Sequence, residues 1–138
     1  MNWRQQRVDF GLAMEKELKP LIEQVVDEPL VKTGNTYDTM DFVGEKCLTE
    51  LKVRNKNHHP ERYESWLLPY CKVKRASTEE KDVFFFYYWT STGELFVLPY
   101  DSEVFSKFKP YVPEFHADQQ LHVKIPRKLW EKITIEAS

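Results

Sequence analysis

Asp41, Glu50 and Lys52 are three residues whose types, taken together, suit one kind of chemistry. Two carboxylates with space between them hold a hard divalent cation such as Mg2+ (or Mn2+). Mg2+ takes oxygen ligands at about 2.0–2.1 Å and keeps positions for water and a substrate phosphate. A cation so held makes bound water a better nucleophile and offsets charge on a phosphorane-like transition state. A lysine ammonium beside it can hold the attacking water or a non-bridging phosphate oxygen.

The chemistry needs the three side chains close together, so the question passes to the backbone. Glu-x-Lys occurs three times, at Glu17/Lys19, Glu50/Lys52 and Glu79/Lys81. Only the middle pair lies in a segment with strand character, where residues two apart share a face. There Glu50 and Lys52 point one way and Leu51 and Val53 the other, into the core. Residues 39–43 and 46–54 read as two strands joined at Gly44-Glu45, a hairpin-type turn. That turn pairs Val43 with Lys46 and sets Asp41 opposite Leu48, on the Glu50 side and diagonal to it, at roughly 7–8 Å. Asp38 falls on the opposite face, and a one-residue slip would exchange the two. The competing reading is a solvated hairpin whose cross-strand ion pairs contribute a few tenths to ~1 kcal/mol.

The remaining elements follow from periodicity. Trp3, Phe10, Met14, Leu18 and Leu21 recur at the spacing of one helical face. Pro20 is expected to end or kink that helix near Lys19. A short strand is expected around "PLVKT" and a turn at "TGNT". "NKNHHPER" reads as a polar loop. "ESWLLPYCKVKRAS" reads as a helix whose regular part starts near Tyr70. "DVFFFYYW" is an unbroken apolar run, as expected of a strand buried on both faces. "LFVLPY" gives the next strand, residues 101–108 a short helix, "LHVKI" a further strand and "RKLWEKI" a helical turn. The sum is an α/β fold, a mixed central sheet flanked by helices.

At 138 residues the chain suits a single domain, residues 1–138, able to bury roughly two thirds of its unfolded surface. Cys47 and Cys71 lack metal-ligand spacing and read as reduced, buried thiols. No apolar run reaches the ~18 residues of a membrane span, and the first residues carry no signal core, so an intracellular protein is expected. The net charge of −2 hides an asymmetry. Residues 52–75 carry +5 and the remainder −7. The basic segment, with Arg54, Lys56, Arg62, Lys72, Lys74 and Arg75, begins at the triplet and has the sign expected of a phosphate-tracking surface.

Asp41, nine positions, then Glu50-Leu51-Lys52, preceded by a helix containing "FGLAMEKEL", resembles the PD-(D/E)XK nuclease superfamily, in particular its small phage- and virus-type members. The likeness spans roughly residues 5–100. It implies a restriction-endonuclease-like core of helix, three strands, helix and strand, and a Mg2+- (or Mn2+-) dependent deoxyribonuclease, most simply an endonuclease. It implies that Asp41 and Glu50 ligate the metal together with the Leu51 carbonyl, and that Lys52 is the catalytic lysine. Glu15, four residues after Gly11, matches the first-helix acid, with Glu17 as the substitute. Lys72 matches the polar or cationic residue that the second helix aims at the site. Met40 stands where the family motif has proline. DNA is the implied partner; a homodimer would place one site on each strand of a duplex. A phage-encoded member would act in the host cytoplasm.

Two further features invite other readings. His58-His59 are adjacent on an extended loop, where they cannot easily chelate one ion, and no third nitrogen or thiol ligand is near in sequence. Tyr63 and Trp66, interleaved with Arg62 and Lys72, have the character of base-stacking residues, although Trp66 reads as core. The rival function is a module that keeps the scaffold and binds nucleic acid or protein without cutting.

Overall fold

The computed structural model describes residues 3–33, 41–54, 59–112 and 121–134, with side chains in the first helix from Met14 onward and at Phe10 and Ala13. The elements are α1 (Trp3–Val26), β1 (Val31–Lys32), β2 (Phe42–Val43), β3 (Cys47–Arg54), β4 (Ser65–Pro69), α2 (Tyr70–Thr78), β5 (Asp82–Trp89), β6 (Glu94–Pro99), α3 (Ser102–Phe105), β7 (His122–Pro126) and β8 (Glu131–Ile133). Short 3-10 turns precede β4 and β8, at Pro60–Arg62 and Arg127–Leu129.

Six strands form one mixed sheet in the order β1-β2-β3-β5-β6-β8, and β4 pairs with β7 in a separate ribbon. β3 and β5 run parallel through eight residue pairs, from Cys47↔Asp82 to Arg54↔Trp89. The other pairings are antiparallel. A parallel pair needs a long crossover, and here β4 and α2 supply it. The expected order of helix, three strands, helix and strand is present, with β4 inserted before the second helix.

β5 is central, and its two faces fill two cores. Val83, Phe85, Tyr87 and Trp89 join Leu48, Trp66, Leu68, Val73 and Ile125 beneath α2 and the β4–β7 ribbon. Phe86 faces the other way, with Leu51, Phe42 and Cys47, against Leu18 and Ile22 of α1. Both faces being covered is why the run "FFFYYW" shows no polar alternation. Trp66 is the hub of the first core. Its ring lies 5.2 Å from Tyr87, 5.1 Å from Trp89, 4.8 Å from Phe96 and 5.5 Å from Trp130, centroid to centroid.

Four expectations are corrected. α1 continues through Pro20 to Val26. Ile22, fully buried in the second core, lies beyond the proline, so packing outweighs the lost backbone bond. Ser65–Pro69 is a strand, with Trp66 and Leu68 inward and their neighbours half-buried. Burial alternates at period two along this segment, and only Tyr70 onward is helical. The expected helical turn at "RKLWEKI" is a 3-10 turn followed by β8, which closes the sheet on β6. Cys47 is buried, but Cys71, on the first turn of α2, is exposed. Among the described residues, no helix is long and apolar enough to cross a membrane.

Candidate active site

The β2–β3 hairpin has a different register from the one its turn residues suggested. Phe42 pairs with Thr49 and Val43 with Leu48, and the Gly44 N–H donates to the Cys47 carbonyl (2.8 Å). The turn residues are therefore Glu45-Lys46. The pairing has moved by two residues, which preserves the face of every side chain. Continued by one pair, it sets Asp41 directly across from Glu50 instead of diagonal to it.

Glu28 explains the register. Its carboxylate accepts from the Lys46 N–H (3.0 and 3.1 Å) and packs against Gly44 so closely that a Cβ there would overlap it. The Lys81 ammonium donates to the Gly44 carbonyl (3.0 Å) from the other side. A glycine is needed at Gly44 for that approach, and the turn forms around it.

Asp41 is anchored at three points. Its N–H donates to the Thr49 carbonyl and its carbonyl accepts from the Thr33 N–H, both at 3.0 Å. Its carboxylate Oδ2 accepts from the Leu51 N–H at 2.7 Å. The side chain thus takes the place of a backbone acceptor just before β2 begins. Leu51, expected to contribute through its carbonyl, engages Asp41 through its N–H.

That position puts Asp41 near two other acids, Glu15 of α1 and Glu50 of β3, close enough for its charge to act on both. Glu50 is only 8% exposed. Burial and then the Asp41 charge push its carboxyl well above the usual carboxylate range, opposed by Lys72. Burial, again followed by Asp41, raises Glu15, opposed by Lys32. Lys72 reaches Glu50 Oε1 at 3.4 Å and Lys32 reaches Glu15 Oε2 at 3.0 Å. Glu50 Oε2 is buried and receives no hydrogen bond. Asp41 thus acts on two raised carboxyls, and Glu50 Oε2 lacks a donor. Lys52, half-buried, lies on the Glu50 side of β3 and is in register with Tyr87 of β5.

The other expected residues divide. Glu17 is exposed on α1, whereas half-buried Glu15 lies next to Met14 on the side that Leu18 and Ile22 bury. Lys72 belongs with Glu50 and not with the outer basic surface. Arg54 donates from Nε to the Tyr87 hydroxyl (2.9 Å). Arg62, Tyr63, Lys74 and Arg75 are exposed. Arg75 pairs with Glu79 at 3.4 Å. Tyr63 stacks on Trp89 with centroids 6.2 Å apart. Lys56, Asp38 and His58 lie outside the described residues. Lys32 was not singled out from the sequence, and only the β1–β2 register brings it to Glu15.

The donor set is hard oxygen, as Mg2+ or Mn2+ prefers. Among the described residues no group of three or more His, Cys, Asp or Glu side chains forms a ready-made cage for a metal. Mg2+ does not need one, since it is commonly held by one or two carboxylates with water and substrate phosphate completing the shell. The crowded acids and the orphaned Glu50 oxygen suit such a cation.

No family model and no curated protein matches the sequence. Among solved structures the chain is similar to D212, a nuclease from a fusselovirus. The identity is 17% and the TM-score 0.47, over 91% of this chain and 83% of that one.

Proposed function

We propose that the protein is a metal-dependent nuclease that hydrolyses DNA phosphodiester bonds, most simply as an endonuclease of the PD-(D/E)XK type. The observation that carries this reading is the Asp41 carboxylate near both Glu50 and Glu15, with Lys52 on the same face of β3 as Glu50. Carboxylates gathered this way repel one another, a cost that a bound cation removes.

Asp41 and Glu50 would hold Mg2+ or Mn2+, with Glu15 positioned to hold water around it. When bound, the cation supplies a more acidic water and charge stabilisation at the phosphate. Asp41, pinned by three backbone contacts, keeps its carboxylate in place without rearrangement. Glu50, whose Oε2 receives no hydrogen bond, would offer that oxygen to the cation, with Lys72 beside its Oε1. Lys52, about 6.6–6.8 Å along the strand from Glu50, would orient the attacking water or a non-bridging oxygen. The exposed cations Arg62, Lys74 and Arg75 lie in the segment that would meet the DNA backbone.

The test is cleavage of plasmid, single-stranded and branched DNA with Mg2+ or Mn2+ against EDTA. Metal-dependent cutting is expected, lost by about 100-fold or more in Lys52→Ala while the far-UV circular dichroism is unchanged. An active Lys52→Ala protein would refute the mechanism. A second reading has its own observation: Lys72 and Lys32 neutralise Glu50 and Glu15 from within. A scaffold that binds nucleic acid without cutting needs nothing more. Salt-sensitive DNA binding with no cutting of any substrate, with either metal, would select that reading.

A further inference from the structure

A cavity of about 100 Å3 lies where β3 and β5 end, walled by Arg54, Tyr63, Ser65, Trp66, Tyr87 and Trp89. Its walls are unusual for a gap between core side chains. Tyr63 is 37% exposed and stacks loosely on Trp89, its ring tilted by 23°. Trp89 itself is almost fully buried, and its indole N–H has no hydrogen-bond partner. Arg54 places its guanidinium 5.9 Å over the Tyr87 ring and is held there by the Tyr87 hydroxyl, which in turn donates to the Leu67 carbonyl (3.2 Å). The cation is therefore preset.

We infer that this cavity receives one unpaired nucleobase of the substrate, which makes the preferred DNA one with a single-stranded end or flap beside the cut. The inference rests on the nuclease reading above. A base presents a flat face for the exposed Tyr63 ring and a trailing phosphate for Arg54. The volume suits one aromatic ring system and not an extended peptide. Position agrees as well. Glu50, Lys52 and Arg54 share one side of β3, so Arg54 stands about 6.6–6.8 Å beyond Lys52, on the scale of a single nucleotide. A base drawn into the cavity would leave its neighbouring phosphate near Lys52. A fully paired end cannot enter without unstacking a base, which costs a few kcal/mol.

Binding in EDTA separates recognition from cleavage. The probes are a blunt DNA hairpin and the same hairpin with a three-nucleotide overhang carrying 2-aminopurine. The wild-type protein is expected to bind the overhang roughly five-fold or more tighter and to quench the 2-aminopurine. Tyr63→Ala brings the two affinities together, and Tyr63→Phe keeps them apart. Equal affinity of the wild type for both hairpins, or a Tyr63→Ala protein that retains the preference, overturns the inference alone. Absence of binding to either hairpin overturns it together with the nuclease reading. The wild-type quench needs no variant, so an unchanged 2-aminopurine signal in the bound complex also overturns it.

Discussion

Replacing Asp41 by asparagine separates the two things its carboxylate does. Asparagine keeps an oxygen to accept from the Leu51 N–H, the 2.7 Å bond that fixes the side chain, and removes the charge that raises Glu50 and Glu15. Two unit charges 4 Å apart interact by about 4 kcal/mol at an effective dielectric near 20. Water at the half-exposed Asp41 and salt screen part of this, leaving an expected gain on the order of 1–3 kcal/mol for the metal-free protein at pH 8. The sign follows from linkage. A carboxyl raised on folding keeps its full contribution below the unfolded value, near 4.3 for Glu, and loses it as the pH climbs through the folded value. Metal-free wild-type protein should therefore lose stability from about pH 4.5 upward, and Asp41→Asn should lose less. Asp41→Ala relieves the same charge but strands the Leu51 N–H, so it should lie about 1–3 kcal/mol below Asp41→Asn at every pH. Urea unfolding of the three proteins in EDTA between pH 4 and pH 8 measures these differences. Adding 10 mM Mg2+ should stabilise the wild type, by about 1.4 kcal/mol for a dissociation constant near 1 mM, and leave Asp41→Asn nearly unmoved. An Asp41→Asn protein less stable than wild type at pH 8, or three parallel pH profiles, would refute the reasoning.

Three further outcomes test the frame around the site. Trp66→Ala removes the hub of the aromatic core, and denaturant unfolding should show a loss of about 3–5 kcal/mol. Gly44→Ala drives Glu28 off the hairpin turn and costs about 1–2 kcal/mol through its hydrogen bonds to Lys46. In a Glu28→Ala background the same change should cost much less, and a double-mutant cycle with additive values would show that Glu28 does not set the register. Cys71 should react with a thiol reagent in the folded protein at pH 8 while Cys47 stays silent, because Cys47 is buried and its thiol is pushed up to about 11; two fast thiols would contradict the packing of β3.

The parts of the site legible in the chain are those carried by local periodicity. Period-two alternation assigns Glu50 and Lys52 to one face of β3 and Leu51 to the other, whatever surrounds the strand. The unbroken apolar run of "DVFFFYYW" likewise predicts the doubly buried β5. Where two local signals compete, burial decides. Pro20 argues for a helix end, yet Ile22 extends α1 past it. The apolar run in "SWLLP" carries no period that distinguishes strand from helix, and pairing with β7 makes it a strand.

What only the tertiary structure decided is who meets whom. Residues far apart in the chain approach one another through hairpin register and interlocking faces, which short-range preferences leave open. The turn at Glu45-Lys46, held by Glu28 from 18 positions earlier, brings Asp41 from a diagonal place to one opposite Glu50. That Glu15 is half-buried and Glu17 exposed depends on which side of α1 lies against the sheet. The reach of Lys72 to Glu50 and of Lys32 to Glu15 depends on strand order. Side-chain type and spacing named the acids and the lysine, and the packing of two cores against one sheet set the distances between them.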